Sequence, residues 1–264
     1  MEARTTLPLD IVLYIIDLLA DGGGVLGIRS LRALSQACKS MVTLCRKYLF
    51  SRLYLGSESR FERFSSLLSK NPDIVCYVRS LSCGVWNSIT SIDHELIVLD
   101  MLKESSSLQS IELSSWGSLY CQWNYLPESI RSSLVSLIEL PTVTHLYFNG
   151  FKGFPATVFS GCSNLNHLQL NSVEMTSYEV YQVISHSKIP TPVSLFINPK
   201  NYGIAAFLNS ASLHAGGPIV DFSRLQKAKF KSVVSRDDIG QAYELIKVPT
   251  RLEHLNIDTS KSSE

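Results

Sequence analysis

With 264 residues, the chain has room for one large domain or two modest ones. Hydrophobic residues make up 45%, enough for a sizeable core, and the formal charges nearly cancel at +1, which argues against a global electrostatic footprint for nucleic acid. Cys38, Cys45, Cys76, Cys83, Cys121 and Cys162 form no CxxC pair and no zinc-finger spacing with histidine, so reduced, mostly buried thiols are expected.

The first informative segment is "TTLPLDIVLYIIDLLADGGG". Pro8 suits the first turn of a helix, where its missing N–H is no loss, and Asp10 suits the positive end of the helix dipole. Glycines 22–24 are expected to end the helix. Between them the helix is apolar nearly all round, so it must be covered on more than one side. The run at 11–20 is about half a membrane span and contains Asp17. Without a signal peptide, a span or an Asn-x-Ser/Thr acceptor, an intracellular protein is expected, in cytoplasm or nucleus, with no membrane partner.

Two shorter helices are predicted next, one carrying Ile28, Leu31, Leu34 and Cys38, the other Met41, Leu44, Cys45, Tyr48 and Leu49. "GGGVLG" formally matches a dinucleotide fingerprint, but a helix rather than a strand precedes it and no acid follows until Glu58. No cofactor is expected. The acid-free stretch holds Arg29, Arg32, Lys39, Arg46, Lys47 and Arg52, which forms either a solvated basic face or a complement to an acidic partner.

From about residue 52 one short phrase recurs: apolar, two spacers, apolar, one spacer, apolar. It reads Val78/Leu81/Cys83, Leu108/Ile111/Leu113, Val143/Leu146/Phe148, Leu165/Leu168/Leu170, Leu225/Ala228/Phe230 and Leu252/Leu255/Ile257, with a degenerate copy at Leu195/Ile197 and an early one in "RLYL" at 52–55. Between the copies lie "SRFERFSSLLSK", "DHELIVLDMLKE", "PESIRSSLVSLI", "SYEVYQVISHS" and "DDIGQAYELIK", with apolar residues at helical steps. Strand and helix alternating at irregular but similar intervals predict an α/β solenoid whose units stack because none covers its own apolar face.

Three copies carry a histidine before the central Leu: His145, His167 and His254. Strand alternation sends Leu146 and Phe148 inward, so His145, Tyr147 and Asn149 point out, as do His167, Gln169 and Asn171, and likewise His254, Asn256 and Asp258. Strands about 4.8 Å apart allow His145 and His167 to touch, while two further strands separate His167 from His254. Two imidazoles without a third ligand make a poor zinc site. A shared register, rather than a metal, explains the repeated histidine. Lys227, Lys229 and Lys231 leave the same face and form either a solubilising row or an acidic-ligand site. Ser, His and Asp are plentiful but fall in no motif such as GxSxG, so a non-enzyme is expected, with a hydrolase as the outside alternative.

Residues 7–50 resemble an F-box. The family's Leu-Pro-x-Glu falls on Leu7, Pro8, Leu9 and Asp10, its later Ile and Leu on Ile15 and Leu19, and its Leu-Ser-x-x-Cys-Lys on Leu34, Ser35, Cys38 and Lys39. Met41 stands where a Trp is usual, and the first connection, "DGGGVLGIRS", is longer. The segment "THLYFNGFKGFPATVFSGCSNLNHLQLNSV" is similar in rhythm to the leucine-rich repeats of fungal F-box-like proteins. The resemblance implies a three-helix F-box over residues 1–55 and a leucine-rich solenoid over 56–264, with parallel strands on the concave face and helices outside. It implies a substrate-recognition subunit that docks on an acidic Skp-type adaptor, and through it a cullin ubiquitin ligase, while the solenoid selects a protein client by proximity alone. Leu7, Pro8, Asp10, Ile11, Ile15, Leu31, Leu34 and Cys38 are the adaptor-contact candidates. His145, Tyr147, Asn149, His167, Gln169, Asn171, Lys227, Lys229 and Lys231 are the client-contact candidates. The alternative is a repeat-based protein-binding module outside any ligase. The last phrase ends at Ile257 with seven polar or charged residues after it, so an uncapped end, from a truncated gene or a short family member, is also an expectation.

Overall fold

The computed structural model describes residues 8–21, 25–85, 92–115, 120–176, 189–198, 219–231, 240, 242–243, 245 and 247–258. Three helices come first: α1 (Leu9–Asp21), α2 (Val25–Ser35) and α3 (Lys39–Leu49). Ile16, Leu31 and Cys45 form the centre of a small core of their own, flanked by Val12, Leu19, Leu34, Met41, Leu44 and Leu49. The Tyr48 hydroxyl donates to the Asp17 carboxylate and ties α3 to α1.

The rest is a mixed α/β layer. Strands β1 (Arg52–Leu55), β2 (Ser80–Val85), β3 (Ser110–Ser115), β5 (His145–Pro155), β6 (His167–Thr176), β7 (Ser194–Asn198), β8 (Lys227–Phe230) and β9 (His254–Ile257) lie side by side in chain order. Every pairing is parallel, and the short β4 (Cys121–Gln122) adds to the tail of β5. Helices α4 (Glu58–Lys70), α5 (Asp93–Lys103) and α6 (Glu128–Ile138) connect the first four neighbours. Parallel neighbours require such crossovers; α4, α5 and α6 pack on one side, and among the described residues no helix covers the opposite face.

The register explains the repeated phrase. Leu81 pairs with Ile111, Ile111 with Leu146, Leu146 with Leu168, Leu168 with Leu195 and Leu195 with Ala228, and all six are buried. They share one core with Phe61, Leu68, Leu99, Leu102, Leu134 and Leu137 of the helices. Burying each Leu or Ile is worth about 1.5–3 kcal/mol, and a slip of one residue would turn the whole row to solvent. Helices from "SRFERFSSLLSK", "DHELIVLDMLKE" and "PESIRSSLVSLI" form as expected; "SYEVYQVISHS" and most of "DDIGQAYELIK" lie outside the described residues.

Two features depart from the repeat phrase. First, β5 and β6 run on past it. Gly150 at φ 76° and Ser172 at φ 55° adopt the left-handed conformation at matched positions, which re-phases both strands. Phe148 and Phe151 are therefore both buried, and with Phe154, Phe159 and Trp123 they form an aromatic cluster in which Phe154 lies 4.7 Å from both Phe148 and Trp123. Second, β9 departs from the alternation. Leu255 and Ile257 were expected inside but are 44% and 36% exposed, because β9 is the edge strand and no described element covers its apolar side.

Candidate functional site

Two surfaces stand out: an apolar face on α1 and α2, and the open face of the sheet. On α1, Val12, Ile16 and Leu19 turn inward, whereas Ile11, Tyr14, Ile15 and Leu18 are exposed. Leu9, Leu26 and Ile28 extend this outer stripe, Leu26 being 77% exposed. A helix with apolar residues on both sides arises directly from "DIVLYIIDLL", and only one side is covered.

Pro8, Asp10, Ile11, Ile15 and Cys38 are exposed and Leu34 is partly buried. Leu31 is corrected: at 2% exposure it belongs to the small core beneath α1 and supports the stripe instead of presenting to it. Leu7 and glycines 22–24 lie outside the described residues. Of the basic stretch, Arg29, Arg32, Lys39, Lys47 and Arg52 are exposed, while Arg46 reaches Asn71 at 3.5 Å. The Cys38 thiol precedes α3 and meets Ser40 Oγ at 3.0 Å. That hydrogen bond, helped by the Met41 backbone N–H, holds its pKa below the usual thiol value.

On the open face, residues fall into rows that cross the strands. One row runs Ser110, His145, His167, Ser194, Lys227, His254, and the next runs Glu112, Tyr147, Gln169, Phe196, Lys229, Asn256. The His145 and His167 rings stack at 4.2 Å between centroids, 14° from parallel. Thr144 Oγ1 meets His145 Nδ1 at 2.8 Å. Burial lowers the pKa of both imidazoles, and for His167 the neighbouring His145 and Lys227 charges lower it further. Lys229 Nζ lies 5.8 Å from the Phe196 ring centroid.

A third row is an amide ladder. Asn198 Nδ2 donates to Asn171 Oδ1 at 2.7 Å, and Asn171 Nδ2 donates to Asn149 Oδ1 at 2.8 Å. Asn198 was not among the candidates, although Leu195-Phe-Ile197-Asn198 repeats the spelling of Leu146-Tyr-Phe148-Asn149. The other client candidates take their expected side: His145, His167 and Lys227 are exposed, and Tyr147, Asn149, Gln169, Asn171, Lys229 and Lys231 are partly so.

Two buried features carry ionisable groups. Glu95 is 3% exposed, lines a small apolar cavity with Phe61, Cys83, Val85, Leu99, Ile130 and Leu134, and has no hydrogen-bond partner for either carboxylate oxygen. Burial raises its pKa, and burial pushes the Cys83 thiol up to about 12. Ser65 Oγ meets His94 Nδ1 at 2.8 Å across α4 and α5, a contact the sequence spacing gave no hint of. Ser65 is itself buried and also donates to the Glu62 carbonyl, so its hydroxyl is committed within the helix layer.

Among the described residues, no set of three His, Cys, Asp or Glu side chains is placed to hold a metal, and no helix is long and apolar enough to cross a membrane. No family model matches the chain, and no curated protein matches it.

Proposed function

We propose that the chain is a substrate-recognition subunit of the Skp–cullin–F-box type, with a helical docking module at residues 1–55 and a leucine-rich solenoid at 56–264. The observation that carries this reading is the uncovered apolar stripe of α1, separate from the small core the three helices make for themselves. The parallel sheet in chain order, with one spelling per strand, supports a stacked-repeat architecture. Function is then proximity: α1 and α2 hold the adaptor, the open sheet face holds a protein client, and the chain performs no bond chemistry. The exposed arginines and lysines of α2 and α3 would steer an acidic adaptor to the stripe.

Ile11→Asp tests the docking half. Ile11 is exposed, so the variant is expected to keep its circular dichroism spectrum and melt. Burying an isoleucine contributes about 1.5–3 kcal/mol, so co-purification with a Skp-type adaptor should weaken by roughly a hundredfold or more. Ile16→Asp is the contrasting control, because Ile16 is fully buried and its carboxylate should unfold the helices. If the wild-type chain binds no such adaptor, the ligase reading fails and a binding module acting outside any ligase takes its place.

A further inference from the structure

We propose that the open face over β5–β8 is a binding site for an extended, carboxylate-rich segment of a partner protein, and that the His145–His167 stack makes its occupancy strengthen as the pH falls. This rests on the reading of that face as the client surface and adds the client's chemistry and its regulation.

The charge pattern gives the sign of the partner. Across the three outward rows of β5–β8, the titratable side chains are His145, His167, Tyr147, Lys227 and Lys229, with Lys231 directly after β8. None of them is an acid. Among the described residues, the facing carboxylates are Glu112 on β3, on one side, and Asp258 after β9, on the other; Glu174 lies farther along β6. His254 stands next to Lys227 in register, and β7 contributes only Ser194, Phe196 and Asn198. The strip between Glu112 and Asp258 is therefore a cationic lane bounded by acids.

The geometry gives the form of the partner. From β5 to β8 the lane crosses three strand spacings, roughly 14 Å, which four or five extended residues cover. The Asn149–Asn171–Asn198 ladder runs along the same direction and keeps amide N–H groups available beside the lane. Imidazolium, ammonium and amide donors in a row match carboxylates spaced along an extended chain.

The stack supplies the proton dependence. Two imidazoles at 4.2 Å cannot both be charged without mutual repulsion, and Lys227 adds to it. In the free protein the neutral form is thus favoured near neutral pH. A carboxylate laid over the rings reverses the balance and raises their pKa in the complex. Binding then takes up protons, so affinity rises as pH falls through the histidine range and levels off above it, where only the lysines act. Partner carboxylates stay ionised down to about pH 5, so the window lies between about pH 7.5 and about 5.5.

Fluorescence anisotropy of a labelled oligoglutamate peptide, titrated with the full chain, tests this. The wild type should bind roughly tenfold or more tightly at about pH 5.5 than at about pH 7.5, and less tightly as salt is raised. His145→Gln with His167→Gln should retain the affinity of the higher pH and lose most of the gain. Lys227→Glu, Lys229→Glu and Lys231→Glu together should abolish binding at both. All variants must keep a cooperative melt; should the double variant not, His145→Gln alone should show a smaller pH-dependent gain than the wild type, though not a simple half, because the two rings are in contact and their effects do not add. A wild type that binds equally at both pH values, a double variant with an unchanged pH slope, or no binding at the lower pH overturns the proposal. Equal or tighter binding of a single-stranded oligonucleotide would assign the lane to nucleic acid instead. The peptide measurement needs no adaptor, so its failure leaves the docking result intact, and the failure of docking leaves the peptide result intact.

Discussion

At the residue scale, the six cysteines separate by environment. Cys38 and Cys76 are exposed; Cys45, Cys83, Cys121 and Cys162 are buried. Burial pushes Cys121 up to about 12, as it does Cys83, and raises Cys45 and Cys162 as well. Cys38 goes the other way, because Ser40 and the Met41 N–H stabilise its thiolate. Iodoacetamide at neutral pH should therefore modify Cys38 first and Cys76 after it, and reach the other four only on unfolding. Peptide mass spectrometry over a time course reads the order; early modification of Cys83 or Cys162 would contradict the packing. If an adaptor docks on α1 and α2 as proposed, its binding should slow the Cys38 reaction and leave Cys76 unchanged. At this scale the sequence was most legible where alternation applies: the placement of His145 and His167 followed from Leu146 and Leu168 on either side of the repeat. Leu31 was not legible, since a helix that is apolar on two sides does not declare which side its neighbour covers.

At the element scale, the strand phrase located seven strands and an early eighth; β2, β3 and β5–β8 are each anchored by their own buried pair, whereas β1 buries only Leu55 and β9 carries the phrase on exposed residues. The continuation of β5 to Pro155 and β6 to Thr176 was not legible, nor was β4, a two-residue strand defined only by its partners Phe151 and Lys152. Those features depend on Gly150 and Ser172 sharing a left-handed backbone, and a serine gives no such signal. Ser172 is also 3% exposed, and its hydroxyl has no hydrogen-bond partner. Ser172→Gly removes both the left-handed strain and the unpaired hydroxyl, so it should raise unfolding free energy by about 1 kcal/mol. Gly150→Ala, at the matched position in β5, should lower it by about 1 kcal/mol or more. Urea midpoints with an unchanged slope test the pair. A destabilised Ser172→Gly would mean that the serine hydroxyl contributes more than the strain it accompanies.

At the scale of the whole molecule, the buried residues divide into two clusters of very different size. The sheet and its helices share one continuous core from Leu55 to Leu245, whereas α1–α3 centre on Ile16, Leu31 and Cys45. The two meet through few contacts: Phe50, at the end of α3, packs against the larger core, and Arg46 reaches Asn71. Composition made the larger core legible but not this division, because the apolar residues of α1 count equally whether they face a core or water. A unit with so few fully buried side chains opens at a lower free energy than one with a large core. Amide hydrogen exchange should therefore show peptides from residues 9–49 losing protection well before those covering β2, β3, β5 and β6. The order should persist in mild urea, where local opening of the helices precedes global unfolding. If the α1 stripe is a docking surface, adaptor binding should raise protection in α1 and α2 selectively, because binding stabilises the closed helices by mass action and leaves the sheet core as it was. Coincident exchange of helices and sheet would show one cooperative unit, and it would remove the separate small core on which the docking reading depends.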